Sequence, residues 1–441
     1  MRFHALSLPH TVTTKEYCAC AFTQKVLKLC AMLHRRGHTV YHYGHKDSIV
    51  ECTEIVHVTD NELLQEAYGT YDWKKDFFKH NNADLAHQTF YKRAIVEVGK
   101  RKEKGDFLLC FWGQKPVADA HPDLIAVEPG IGCFNRTFAP FNVFESYAVM
   151  NCVYGIMENK NPAWYDCVIP NYFDPTDFEY REKKGDYLLF LGRLITNKGV
   201  SIVVDIAVRT GMKLIIAGQG DYKSIMGGQE PPPNVEVVGY ADVAKRRELL
   251  AGAKALIQPT YYNEPFGGCV VEANMSGTPV ITSDWGAFPE TVVHGTTGYR
   301  CRTMDHFIWA AKNIDTIKPK ACRDWAMANY SMDRVVLMYE EFFSMLQDVS
   351  KGKGFYEIHE DRTNIDWLVK YRPSSFPANE KVAWPVASLP SPAVPKGAPI
   401  GPVEPTAARN LEPLKPLAPL VPLAPLELED DGFLGEVQMR A

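Results

Sequence analysis

The sequence predicts an α/β chain of two doubly wound domains, and three observations carry that expectation. Apolar runs of strand length alternate with longer amphipathic segments through most of the 441 residues, the pattern of parallel strands joined by crossover helices. The alternation starts at the first residues, lapses over residues 171–186 and restarts at residue 187. From about residue 373 prolines recur too often for a helix interior or a central strand. The expected divisions are 1–172 and 173–335 for the two domains. A helix and extension over 336–372 should pack back on the first domain, and a Pro-rich, disordered tail should occupy 373–441.

In the first domain, residues 3–8 form the opening strand and residues 9–14 a polar loop. Thr13 with Glu16 fits a capping box for a helix running to about Arg36. Gly37 ends that helix, and residues 39–43 are the next strand. A loop at the carboxyl end of a parallel strand faces the ligand crevice of such sheets. Thr11, Thr13 and Thr14 are therefore placed either to touch a ligand or to cap the helix. Residues 54–58 are weakly strand-like, 84–97 helical, 107–112 a buried strand stopped by Gly113, 117–121 a short helical piece and 124–127 a strand. That strand runs into Glu128-Pro129-Gly130-Ile131-Gly132, a rigid loop that puts Glu128 where functional residues sit. His121 falls at a helix end, a poor position for a catalytic group. A helix over 144–154 and a strand over 166–170 close the domain.

The second domain opens with a strand over 187–191, followed by Gly192-Arg193-Leu194-Ile195-Thr196-Asn197-Lys198-Gly199. Arg193 falls at the strand's carboxyl end and Lys198 at the start of the next helix. A guanidinium fork and an ammonium suit a diphosphate. The plain alternative is a pair of surface cations, but a helix start disfavours cations, which argues for an anionic partner. Strands over 212–217 and 235–238 and a helix over 243–252 follow.

The chain is organised around residues 263–281, N-E-P-F-G-G-C-V-V-E-A-N-M-S-G-T-P-V-I. Strands over 254–258 and 278–282 flank it, and residues 266–276 have the length of a three-turn helix. Pro265 suits the first turn and Gly277 the stop. The amides of Phe266, Gly267 and Gly268 then point out of a helix N-terminus, which favours a phosphate. Glu264, just outside the helix, is set to accept hydrogen bonds from sugar hydroxyls. Glu272 lies eight positions on, about 12 Å along a helix axis, and would serve another part of a long, hydroxyl-rich ligand. The plain alternative makes Glu264 a helix start and Glu272 a solvated helix residue. Residues 313–328 close the domain, and a final helix spans about 332–346.

Totals exclude other classes. Apolar residues make up 46% of the chain and the net charge is −5, so no global field favours nucleic acid or an anionic membrane. The basic run over 100–104 reads as a solvated helix end. Eleven cysteines without metal-site spacing read as reduced thiols of a cytoplasmic protein. The N-terminus lacks the apolar core of a signal peptide, and no apolar run reaches the ~20 residues of a membrane span.

Four segments together carry a family likeness: G-R-x-x-x-x-K-G (192–199), E-P-F-G-x-x-x-x-E-A (264–273), G-x-P-V-I (277–281) and H-G-x-x-G (294–298). This set resembles the nucleotide-sugar domain of family 4 glycosyltransferases over about residues 186–339. The first βαβ unit and V-I-P-N-Y-F-D (168–174) fit it more loosely. The resemblance implies a GT-B fold, two Rossmann-like domains facing a cleft. It implies a retaining hexosyl- or pentosyltransferase without a metal or other cofactor, whose co-substrate is a UDP- or GDP-linked sugar. No D-x-D motif is present, which agrees with a metal-independent reaction.

Carried onto this chain, Gly192, Arg193 and Lys198 hold the donor diphosphate. Glu264 holds the transferred sugar, helped by Phe266, Gly267 and Gly268; Glu272 holds the ribose; and Val238 to Tyr240 border the base. The catalytic set is Glu264, Arg193, Lys198 and Glu128. Many members carry a histidine in the loop that here reads Ala126-Val127-Glu128-Pro129, so Glu128 is a departure and a candidate contact to a sugar hydroxyl or acceptor. The acceptor stays open among glycan, lipid, small molecule and modified nucleic-acid base. Two other functions stay open: a sugar-nucleotide epimerase or hydrolase of the same fold, and a non-catalytic interaction protein whose tail docks a protein partner.

Overall fold

Aliphatic runs pair into two all-parallel sheets in a computed structural model that describes residues 1–70, 72–74, 81–163 and 165–352. The first sheet contains β1 (Arg2–Leu6), β2 (Thr39–His45), β3 (Glu54–Thr59), β4 (Phe107–Cys110), β5 (Ile125–Ile131), β6 (Phe141–Phe144) and β7 (Cys167–Val168), in the order β3-β2-β1-β4-β5-β6-β7. The second contains β8 (Tyr187–Leu191), β9 (Lys213–Ala217), β10 (Val235–Gly239), β11 (Ala255–Gln258), β12 (Val280–Ser283) and β13 (Gly298–Cys301), in the order β10-β9-β8-β11-β12-β13. Each order reverses once, between β1 and β4 and between β8 and β11. Such reversals open a crevice at the carboxyl ends of the strands.

A parallel sheet must be covered on both faces, and the residue alternation of β8 does this for the second sheet. Leu188 and Phe190 enter one apolar cluster, with Val203, Ile206 and Phe307. Leu189 and Leu191 enter the other, with Val270, Ala273 and Phe288. In the first domain Phe3 and Phe107 are stacked neighbours on β1 and β4, with ring centroids 5.1 Å apart. Phe343 closes on both, at 4.8 Å and 4.9 Å. It belongs to the helix Met332–Ser350, which buries Val335, Tyr339, Phe342 and Leu346 in the first domain's core. The chain therefore crosses to the second domain near residue 174 and returns near residue 331, where Phe173 and Ser331 bridge and Met332 N donates to Phe173 O at 3.0 Å.

Several local expectations are corrected. The first helix is Ala21–Arg35, and its N-cap is Cys20. Thr13 makes no capping box, because its amide donates to Ser48 Oγ at 3.2 Å and its hydroxyl pairs with His42 Nε2 at 3.1 Å. β5 does not stop before Glu128. It continues through Glu128, Pro129 and Gly130, with a shift in its register against β6 and a positive φ of 69° at Gly130. β6 was not anticipated, and the helix after it is Tyr147–Ile156, capped by Ser146. The helix of the organising stretch is Gly268–Met275, two turns and not three, because Gly267 at φ 77° turns the chain into it and leaves Pro265 in the loop. The extension over 353–372 and the Pro-rich tail over 373–441 lie outside the described residues. Among the described residues no helix is long and apolar enough to cross a membrane.

Candidate active site

The carboxyl edge of the second sheet gathers most of the expected residues. Gly192 and Arg193 leave β8, Val238 and Gly239 end β10 with Tyr240 next, and the loop holding Glu264 leaves β11. Two close approaches set these loops. A Cβ at Gly218, where φ is 156°, would overlap the Gly192 carbonyl oxygen and stand 2.6 Å from its carbon. A Cβ at Gly286 would stand 2.5 Å from Glu264 N. Only glycine permits either contact without backbone movement. Hydrogen bonds then stitch the loops together: Leu194 N to Gln219 O at 2.7 Å, Tyr261 N to Asn197 O at 3.1 Å and Ala287 N to Glu264 O at 2.9 Å.

Lys198 ends a single 3-10 turn, Thr196–Lys198. Its ammonium donates to Glu264 Oε2 at 2.7 Å and to Tyr262 Oη at 2.8 Å. Glu264 is only 7% exposed, so this is a buried pair that needs both partners. Burial works against the ammonium, but Glu264 and Tyr262 more than offset it and hold the Lys198 pKa above the ordinary lysine value. An ammonium has three donors. Two are engaged here, and one remains for an anion.

Glu272 sits on the same short helix as a second ion pair. Its Oε2 accepts from Arg246 Nη2, a residue of the helix Val243–Gly252. Burial works against the guanidinium, and Glu272 more than compensates, so Arg246 lies above the usual arginine value. Between the two pairs lies Cys269, pushed up to about 12 by burial and feeling Lys198, Glu264, Glu272 and Arg246. Glu272 is thus no freely solvated helix residue. The N-cap of Gly268–Met275 is Gly267 with no side-chain cap; Val270 N donates to Gly267 O at 2.9 Å, and the Gly268 and Cys269 amides are left to other acceptors. The Phe266 ring turns away into an apolar cluster with Phe173 and Tyr330.

The first domain contributes differently from expectation. Glu128 does not join the acids of the second domain. Its Oε2 accepts from Phe138 N at 2.7 Å and Ala139 N at 2.9 Å, holding a turn of its own domain. Burial raises its pKa from 4.5 to about 7, against the pull of those two amides. The folded state therefore holds this proton more tightly than the unfolded chain. The resulting stability is complete below about pH 4.5 and is lost as pH rises through about 7. Glu128→Gln should remove that loss. Its unfolding free energy from urea titration, relative to wild type, should rise between pH 5 and pH 8 by on the order of 3 kcal/mol. Thr11 and Thr13 are buried and bonded internally, to Thr23 and His42. His121 is buried and bonded to Ile95 O at 3.0 Å.

Contacts between the domains were not anticipated. Ser146 Oγ donates to Pro265 O at 2.6 Å, next to Glu264. Glu290 receives the amides of Tyr147 and Ala148 at 2.9 Å and 3.0 Å, the first amides of a helix in the other domain. Such a carboxylate at a helix N-terminus is favourable. Tyr262 and Arg246 were also missed. Tyr262 had a usable signal, since it stands two residues before Glu264 in the same loop after β11. Arg246 had only a cationic triplet, Lys245-Arg246-Arg247, without spacing toward Glu272.

Residues 174–326 match the family model described as glycosyl transferases group 1. The chain is 35% identical over 127 residues to a glycogen synthase of Mycobacterium tuberculosis, covering 27% of this chain and 30% of the relative. It is 32% identical over 124 residues to a phosphatidyl-myo-inositol mannosyltransferase of Mycobacterium leprae, covering 26% and 33%. The chain thus spans about a third of the length of these curated relatives. Among solved structures, a sucrose-phosphate synthase from Thermosynechococcus elongatus superposes with a TM-score of 0.60 at 16% identity, over 79% of this chain and 100% of that one. HepE of Anabaena, solved with UDP and glucose, gives 0.56 at 14% identity, over 78% and 99%. The fold is GT-B, as the motifs implied.

Proposed function

We propose, from the premise that residues 174–326 form a group 1 glycosyl transferase domain, that this protein transfers a sugar from a nucleoside diphosphate to an acceptor hydroxyl with retention of anomeric configuration. The observation that carries the reading is the buried contact of Lys198 with Glu264 and Tyr262 at the sheet reversal. In this reading Lys198 and Arg193 take the diphosphate, aided by the open amides at the start of Gly268–Met275. These fixed charges stabilise the departing diphosphate, where most of the barrier lies. Glu264 keeps Oε1 for the hydroxyls of the transferred sugar while Oε2 holds Lys198. Glu272, with Arg246 beside it, takes the ribose hydroxyls. The crevice between the domains excludes water from the reacting carbon. Glu128 is left out of the reacting set, since its carboxylate serves its own domain's turn.

A melting-temperature screen against UDP- and GDP-linked sugars tests the reading. Uridine donors come first because a fold neighbour was solved with UDP and glucose. A ligand at a hundred times its Kd adds about 2.7 kcal/mol, so the matching donor should raise the melting temperature by several degrees. Incubating that donor alone separates the related chemistries. A changed sugar still on its nucleotide would mean an epimerase, and rapid release of free sugar a hydrolase. No shift with any donor would overturn the proposal.

A further inference from the structure

We infer that the first domain supplies one wall of the nucleobase site, through Trp73; this rests on the donor-binding reading above. The order of strands sets the frame. Glu264 leaves β11 and Arg193 leaves β8, while Gln219 and Tyr240 follow β9 and β10. Neighbouring strands lie about 4.8 Å apart, so β10 stands three spacings, roughly 14 Å, from β11. That is the scale of an extended sugar, diphosphate and nucleoside laid along one sheet edge. With the sugar at Glu264 and the phosphates at Arg193 and Lys198, the base falls at Gln219 and Tyr240.

Trp73 reaches that end from the other domain. Its ring stacks on Tyr17 of the first domain at 4.3 Å between centroids, with 23° between planes. It meets Tyr240 at 6.2 Å and 90°. Gln219 Nε2 donates to the Trp73 carbonyl at 2.6 Å, and Tyr240 Oη pairs with Cys18 Sγ at 3.0 Å. Trp73 and Tyr240 are both half-buried. Lys74 Nζ also lies 5.5 Å from the Trp73 ring centroid, and the two perpendicular rings make a corner that would take a flat heterocycle against one wall with its edge toward the other once that ammonium swings aside. Aromatic faces accept any base, because every base has a π-face. Gln219 is bonded to Trp73 O through its amide nitrogen, and its amide oxygen is an acceptor at the same edge. Because the wall comes from the first domain, a bound base would touch both domains.

The test uses the full chain, calorimetry with UDP, GDP and inorganic pyrophosphate, and the variants Trp73→Ala, Trp73→Leu and Trp73→Phe. Trp73→Leu keeps apolar bulk without a ring, which guards against a folding defect in Trp73→Ala. Expected are a loss of about tenfold or more in nucleoside diphosphate affinity for Ala and Leu, unchanged pyrophosphate affinity, and Phe within about threefold of wild type. Equal loss for pyrophosphate and nucleotide would show a merely structural residue and overturn the inference, as would Ala and Leu binding like wild type. Failure of the wild-type protein to bind any nucleoside diphosphate would sink the donor-binding reading as well, so the two failures are distinguishable.

Discussion

Sugar transfer should fall by about 10²–10³-fold in Lys198→Ala, the loss typical of removing one preorganised charge from a developing anion. Glu264→Ala should lose a similar factor, because Glu264 both orients the ammonium and carries the sugar hydroxyls. The two variants have a second, separable effect. Each leaves one partner of a buried pair uncompensated, which costs roughly 3–5 kcal/mol of stability. The double variant leaves neither charge alone, so its loss of stability should be smaller than the sum of the single losses while its transfer rate stays low. Initial rates at saturating donor, together with urea midpoints across this double-mutant cycle, give both quantities. A double variant no more stable than that sum would deny the pair its mutual dependence, and wild-type rates in either single variant would remove it from the active site.

Gly218→Ala should lower transfer by about 10²-fold without touching any charged group. The new Cβ would collide with the Gly192 carbonyl, and the peptide entering Arg193 must move to admit it. A displacement of about 1 Å at a catalytic group costs on the order of 10²-fold in rate. The positive φ at Gly218 adds backbone strain that a side chain cannot relieve. The variant should therefore melt lower than wild type. Gly211→Ala is the control. It also has a positive φ, but its added Cβ meets nothing within 4 Å. It should lose stability alone and keep its rate per folded molecule. Equal rates in both variants would mean that the Gly192 approach does not position Arg193.

What was legible in the sequence follows from where each contact is encoded. The place of Lys198 and Glu264 at the carboxyl edge of the sheet was legible because each follows a strand end in a loop marked by glycines. The fold was legible for the same reason: β8, Tyr187–Leu191, and the helix Val243–Gly252 have the ends that periodicity predicts. Contacts between distant segments leave no such mark. Gln219 meets Trp73 across 146 positions and Ser146 meets Pro265 across 119, and neither pair shares a spacing rule. The loop expected at Glu128 is part of a strand, because Pro129 and Gly130 signal a loop whereas β5 absorbs them in a register shift against β6. β6 itself, F-N-V-F, is too short for an alternation to stand out from the helix behind it.

The return of the helix Met332–Ser350 to the first domain has a consequence for biosynthesis. A ribosome releases Phe3 and Phe107 early, yet the ring that covers them, Phe343, is among the last of the described residues to emerge. Throughout translation of the second domain, the amino-terminal half must wait with an apolar face exposed. Its native closure thus waits until residues 332–350 have been made, and nascent chains stalled before residue 331 should engage chaperones that full-length chains release.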